Sequence, residues 1–331
     1  MKILLAPLEG ITTYIYRNAL NKYYGGIDRY YTPFLTATHL KGREKRDVLP
    51  DNNPGIDLVP QILANEADTF LKITYQLSLL GYREVNLNLG CPSGTVISKN
   101  RGAGFLQEPK DLYNFLDDVI DKMEGISLSI KTRIGMEFLS EWEDLMNVYK
   151  DFPLSEIIIH PRLRNEFYNG NVHIDQFLRA FDIIPESTNI IYNGDINSIS
   201  HLIQVLNAIK EVNPDYIERD NFSIMVGRGI IRNPELGSIL SKAEIPDLLD
   251  PINKEINSSL PKITDKKKFK AFINEITENY QDEMSNEKHV VMKMKELWIY
   301  FADGLRLDPK LLKEILKTSR LAEYKSIIQM V

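Results

Sequence analysis

A single cysteine, Cys91, is the only thiol in this 331-residue sequence. That scarcity excludes an intramolecular disulfide framework and any cysteine-rich zinc site, and no metal is expected; it fits a reducing compartment, so a cytoplasmic location is expected. Long apolar runs are missing as well. The stretch after Lys2 reaches only to Ala6 before Pro7 and Glu9 interrupt it, which does not read as a signal peptide. Nothing approaches the length of a membrane span. Positive charge is not in excess either: the net charge is −6, which argues against indiscriminate nucleic-acid binding through a uniformly basic surface. The charge is uneven, however. Residues 251–331 carry 15 Lys and Arg against 12 Asp and Glu, while the other 250 residues carry 25 against 34, so an acidic body bears a mildly basic tail. What is present, 43% hydrophobic and 26% charged residues, describes an ordinary soluble chain with one large domain and a small one.

Eight short apolar or β-branched runs punctuate the first three quarters of the chain, at 3–7, 29–33, 58–63, 84–89, 127–134, 156–160, 189–193 and 222–227. Between them, 66–80, 109–123, 141–150, 198–210 and 231–242 show apolar residues at three- and four-residue intervals, as amphipathic helices do. Eight strand-then-helix units predict an α/β fold, a closed (β/α)₈ TIM barrel. The second unit is the weakest, because residues 34–57 are polar and irregular.

Polar residues fall at the C-terminal ends of these runs, where barrel enzymes place their chemistry. In the fifth, Leu128, Ile130 and Ile134 share one face and Ser129, Lys131 and Arg133 the other. With the apolar face on the outer helices, Lys131 and Arg133 point into the barrel mouth, where two cations need an anion or polar ligand, or inward carboxylates, to offset desolvation. The same parity turns Asn86 and Asn88 inward, and Gln61, His160 and Asn193 end the third, sixth and seventh runs. Singly, each has a structural reading as a turn former or satisfied core polar group; five of eight strand ends supplying polar groups does not.

Two glycine segments, Asn193-Gly194-Asp195-Ile196 and Gly227-Arg228-Gly229, follow the last two runs, the recurrent phosphate position of this fold. Arg228 adds a possible charge-assisted bond there. Cys91 lies just past the fourth run, between Gly90 and Pro92. An unperturbed thiol is mostly protonated at neutral pH, so it can donate a proton as well as attack.

Together these residues resemble an ordered signature set. Leu5-Ala6-Pro7-Leu8-Glu9-Gly10, Val85 to Pro92, Ser129 to Gly135, His160-Pro161-Arg162, Asn193 to Ile196 and Gly227-Arg228-Gly229 are similar to the motifs of tRNA-dihydrouridine synthases. The most specific element is Asn88-Leu89-Gly90-Cys91-Pro92 followed by Gly102-Ala103-Gly104. Beyond the barrel, Lys293 to Tyr300 resembles the Lys-x-Trp helix of the family's C-terminal helical domain, which implies a catalytic domain over 1–245 and a helical RNA-binding domain over 246–331. A polar connector from Pro246 to Pro261 and a lysine cluster at 266–268 fit that division; the cluster is either a solvated face or an RNA contact.

The resemblance implies FMN as prosthetic group and NADPH, or NADH, as electron donor. Carried over residue by residue, Pro7, Leu8, Gln61, Lys131, His160, Asn193, Gly194, Asp195, Gly227 and Arg228 would surround the flavin. Asn88 and Arg133 would face the uracil, and Lys99 and Arg101 would grip the RNA backbone. The implied reaction passes hydride from flavin N5 to uracil C6, with Cys91 protonating C5 from the opposite side. The partner is tRNA, with ribosomal RNA not excluded, acting on a monomer. Two departures stand out. The family's His-Gly-Arg-Thr appears as His160-Pro161-Arg162-Leu163, where proline removes a backbone donor, and Ala-Pro-Met appears as Ala6-Pro7-Leu8. Two alternatives stay open: a small-molecule flavin reductase of the dihydroorotate or dihydropyrimidine type, which needs no helical domain, and a non-catalytic RNA-binding protein, in which Cys91 is dispensable.

Overall fold

The computed structural model describes residues 1–250 and 261–331. Nine parallel strands form one sheet: β1 (Lys2–Leu5), β2 (Arg29–Tyr31), β3 (Leu58–Val59), β4 (Gln61–Ile62), β5 (Glu84–Leu89), β6 (Ser127–Arg133), β7 (Glu156–His160), β8 (Asn189–Tyr192) and β9 (Ser223–Val226). Their order is β3-β2-β1-β9-β8-β7-β6-β5-β4. The two ends of that order are halves of one predicted run, 58–63, broken at Pro60, which has no N–H to give a ladder. The first half pairs with β2 and the second with β5, so the split stave nearly closes the sheet into a barrel.

Alternation along the strands builds two cores. Leu4, Ala6, Tyr31, Val59, Ile158, Ile191 and Met225 fill the barrel interior. Their neighbours, among them Ile3, Leu5, Leu87, Ile130 and Ile159, face the helices and join the main hydrophobic cluster. This parity sends Ser129, Lys131 and Arg133 inward, as the sequence predicts.

Helices Ala67–Leu79, Pro109–Ile120, Glu141–Tyr149 and Ile199–Val212 match the predicted amphipathic stretches. The stretch 231–242 needs correction. It is two short helices, Arg228–Arg232 and Leu236–Ser241, because Pro234 cannot donate to the preceding turn and disfavours helix at Asn233. Asn233 instead accepts from the Glu235 N–H (2.9 Å) and donates to the Pro261 carbonyl (2.7 Å). The polar segment 34–57 also holds a helix, Gly42–Val48, whose buried Asp47 receives the Tyr14 N–H at 2.7 Å.

Four helices complete the chain: Lys266–Glu283, Glu287–Leu305, Pro309–Lys317 and Leu321–Ile328. Phe269, Phe272, Trp298 and Phe301 pack edge to face among them, and Trp298 donates to the Tyr324 hydroxyl at 2.9 Å. The same ring of Phe272 meets Tyr16 and Tyr24 of the barrel at 5.8 and 5.3 Å, so the helical segment shares the barrel's core. Most of the predicted connector, residues 251–260, lies outside the described residues.

Candidate active site

A cavity of about 270 Å³ opens at the C-terminal ends of the strands. Each stave but β2 contributes predicted residues to its wall. Pro7 and Leu8 follow β1, Gln61 begins β4, and Asn88 and Cys91 come from the end of β5. Lys131 and Arg133 belong to β6, and His160 ends β7. Asn193, Gly194 and Asp195 follow β8, and Gly227 and Arg228 follow β9. Lys99 and Arg101 do not line it. They sit on the loop beyond Cys91, where Arg101 donates to Asn65 (3.1 Å) and the Lys99 carbonyl accepts from that same asparagine (3.1 Å).

The loop carrying Cys91 is tightly built. The Cys91 carbonyl accepts from Ala103 N–H at 3.1 Å, and Gly102, at φ +57°, packs so closely that a Cβ there would lie 3.0 Å from the Cys91 Cβ and 2.9 Å from Val96. Burial pushes the Cys91 thiol up from its ordinary range, so it stands protonated at neutral pH.

Positive charge dominates the floor. Lys131 makes no ion pair among the described residues, and withdrawal from water, with the Arg133 charge adding to it, pulls its ammonium down to about 7. Arg133 is fully buried and is also held below its ordinary value by burial. It donates to the carbonyls of Gly90 (3.0 Å), Leu163 (2.8 Å) and Phe167 (2.7 Å), tying the loops after β5 and β7 together. Three of its five N–H donors are thereby engaged with backbone rather than open to a ligand.

Burial, reinforced by the surrounding guanidinium and ammonium charges, drives His160 well below its usual value, so the imidazole is neutral. Arg162 lies 3.2 Å from its Nε2. An arginine can only donate, so Nε2 accepts and the proton sits on Nδ1. Arg162 also bonds Asp195 at 2.5 Å, and Arg228 reaches the other carboxylate oxygen at 2.6 Å. Burial raises the Asp195 carboxyl, but these two guanidinium groups outweigh it and hold the group below the usual carboxylate range. The proline at 161 is accommodated: its carbonyl accepts from His173 N–H at 2.8 Å while Arg162 N–H turns back to the His160 carbonyl at 2.7 Å.

Tyr168 and Tyr300 are among the wall residues that escape sequence reasoning. Tyr168 stacks on His160 at 6.0 Å and lies under the guanidinium groups of Arg228 (4.5 Å) and Arg133 (5.5 Å). It stands in an irregular loop with no periodicity to mark it. Tyr300 comes from helix Glu287–Leu305, 71 residues beyond Gly229 of the last barrel motif. Its neighbour on that helix, Lys293, reaches the Gly10 carbonyl at 3.3 Å.

The chain is similar to known proteins along most of its length. A family model described as dihydrouridine synthase matches residues 4–315. A probable tRNA-dihydrouridine synthase of Staphylococcus aureus is 26% identical over 242 residues, covering 70% of this chain and 69% of the relative. Its counterpart in Staphylococcus epidermidis is also 26% identical, over 241 residues and the same shares. A probable tRNA-dihydrouridine synthase 2 of Bacillus subtilis is 25% identical over 237 residues, again covering 70% and 69%. The chain belongs to the dihydrouridine synthase family. Among the described residues no helix is long and apolar enough to cross a membrane.

Proposed function

We propose that the protein reduces uridines in tRNA to 5,6-dihydrouridine, with FMN as prosthetic group and NADPH as electron donor. The observation that carries this reading is that the chain's only thiol, kept protonated, shares one cavity wall with a lysine that has no ion-pair partner among the described residues. The relatives named for tRNA supply the substrate class.

The residues present fit a phosphate-bearing flavin. Lys131 and Arg133 bring cationic charge that an anionic ligand would compensate. Gly194 leaves the backbone bare where a Cβ would run into the buried Tyr192 ring and hydroxyl. Gly227 and Arg228 would hold the phosphate, and Pro7, Leu8, Gln61, Lys131, His160 and Asn193 the ring system. When bound, FMN would supply hydride chemistry that no side chain offers.

The remaining steps fall to the chain itself. Lys131 stabilises negative charge developing beside it, and it is pre-placed, so no reorganisation is needed. Neutral His160 offers its Nδ1–H as a donor without adding charge. Cys91, as a thiol, gives its proton to uracil C5 and is left as thiolate, which Lys131 and Arg133 both favour electrostatically. A uridine in folded RNA must leave its stack to reach this depth, at a cost of a few kcal/mol recovered by contacts elsewhere on the RNA.

Nucleosides from dihydrouridine-free tRNA, incubated with FMN-loaded protein and NADPH, should gain two mass units on uridine. Protein that is yellow and oxidises NADPH yet leaves the RNA unchanged would refute the assigned substrate.

A further inference from the structure

The amide side chains on the cavity floor form one directed chain of hydrogen bonds. Asn88 Oδ1 accepts from the backbone N–H groups of Gly90 (3.1 Å) and Cys91 (3.0 Å). A backbone N–H can only donate, so the oxygen of Asn88 must face this turn and its nitrogen must face away. That nitrogen donates to Gln61 Oε1 at 2.7 Å. Gln61 Nε2 then donates to Asn86 Oδ1 at 2.8 Å, and Asn86 Nδ2 donates to Ser129 Oγ at 3.0 Å. The Ser129 hydroxyl closes the series on the Val85 carbonyl at 3.4 Å.

Gln61, Asn86 and Ser129 are fully buried, so water cannot rescue a misdirected amide. Reversing Asn88 or Gln61 would set oxygen against oxygen on one side and nitrogen against nitrogen on the other, and reversing Asn86 would set its nitrogen against that of Gln61. The polarity is therefore imposed by the turn before Cys91, whose N–H groups can only donate, and Ser129 completes the series by accepting from Asn86 while its own proton goes to the Val85 carbonyl. Each amide nitrogen carries a second N–H, and Gln61 and Asn88 both line the cavity.

We propose that Ser129 and Asn86 are positioning residues: by anchoring the far end of this chain they hold Gln61 and, through it, Asn88 on the Gly90–Cys91 turn, and so set where the Cys91 thiol stands. They also leave Gln61 and Asn88 as donors, not acceptors, toward whatever occupies the cavity. Neither residue lines that cavity; both act through others.

The chain has one thiol, so iodoacetamide alkylation of the folded, flavin-free protein reads Cys91 alone. Its rate, followed from neutral to alkaline pH, should change by roughly fivefold in Ser129→Ala, the weight of one ordinary hydrogen bond. Ser129→Thr keeps the hydroxyl and should alkylate as wild type does. Equal shifts in the two variants would assign the effect to packing and overturn the proposal, and so would no shift in either. Should Ser129→Ala not fold, the double variant Ser129→Ala/Asn86→Leu removes a donor and an acceptor together and takes its place, with the same shift expected. A parallel turnover measurement rests on the uridine-reductase reading and should show the same contrast. Alkylation does not depend on that reading, so an inactive protein that still shows the alkylation contrast would sink the function and leave the positioning role standing.

Discussion

Lys131→Met should stabilise the flavin-free protein at neutral pH, and the gain should shrink as pH rises. The ordinary ammonium value of 10.5 falls to about 7 in the fold. Below the folded value, Lys131 is charged in both folded and unfolded chains, and the fold bears the full cost of holding that charge out of water. Between the two values the unfolded chain binds more protons, so wild-type stability rises with pH and the cost disappears above 10.5. One pH unit within that window corresponds to ~1.4 kcal/mol, so two units should recover roughly 3 kcal/mol for wild type relative to the variant. Methionine keeps most of the lysine's length and removes only the charge, which limits packing changes. Urea denaturation of both proteins at several pH values between neutral and alkaline gives the difference directly, because titrations common to both cancel. Saturating FMN should flatten the slope, since an anion beside Lys131 restores its charge. A difference independent of pH in the flavin-free proteins would show that Lys131 keeps an ordinary value, and the electrostatic account of the site would fail.

Cys91→Ala should fold and retain flavin colour, while uridine reduction falls by about 10² to 10⁴, the usual weight of a positioned proton donor; single-turnover oxidation of reduced protein by RNA checks it. Gly194→Ala places a Cβ against the Tyr192 hydroxyl and should cost about 1–3 kcal/mol, with loss of FMN binding, seen by thermal unfolding and flavin fluorescence. Asp195→Asn removes the shared partner of Arg162 and Arg228. Because Arg162 is buried and Asp195 is not, the loss should be about 2 kcal/mol, below the value for a wholly buried pair, in denaturant titrations near neutral pH.

The barrel was legible because its strands carry β-branched runs with a clear two-residue period and because loops place polar residues after them. Local chemistry set the limits. Pro60 splits a stave and Pro234 splits a helix, and neither effect shows in hydrophobic periodicity, which is insensitive to a missing N–H. The wall of the cavity could be named from strand-end positions and from the resemblance. Tyr168 and Tyr300 could not, since one lies in an irregular loop and the other reaches the barrel from a distant helix. Nor does spacing disclose what Arg133 and Asn88 hold: the sequence turns both toward a ligand, while the structure engages the Asn88 oxygen with the turn at Cys91 and Arg133 with backbone carbonyls of the loops after β5 and β7.

The lysines at 266–268 illustrate how tertiary placement reassigns a charge cluster. Helix Tyr14–Tyr23 follows β1, so its first residues lie near the barrel mouth and its last near the opposite end. Helix Lys266–Glu283 runs beside it in the reverse direction: Lys268 lies over the Tyr24 ring at 4.8 Å, while Tyr280 bonds Thr13 at 3.0 Å and Glu283 bonds Tyr14. An 18-residue helix spans about 27 Å, so the cluster sits at the end of the barrel away from the cavity. Lys266 is also engaged by the Val331 carbonyl at 3.1 Å. Lys99 and Arg101, by contrast, share a loop with Cys91. Replacing Lys266, Lys267 and Lys268 together by glutamine should therefore leave the salt dependence of tRNA binding nearly unchanged, whereas Lys99→Gln with Arg101→Gln should flatten it by roughly 1 to 2 in the log–log slope. Fluorescence anisotropy of labelled tRNA across a salt series measures both. A triple lysine variant that flattens the slope as much as the loop variant would mean that the RNA wraps past the cavity to the far end of the barrel, and the loop would lose its claim as the backbone contact.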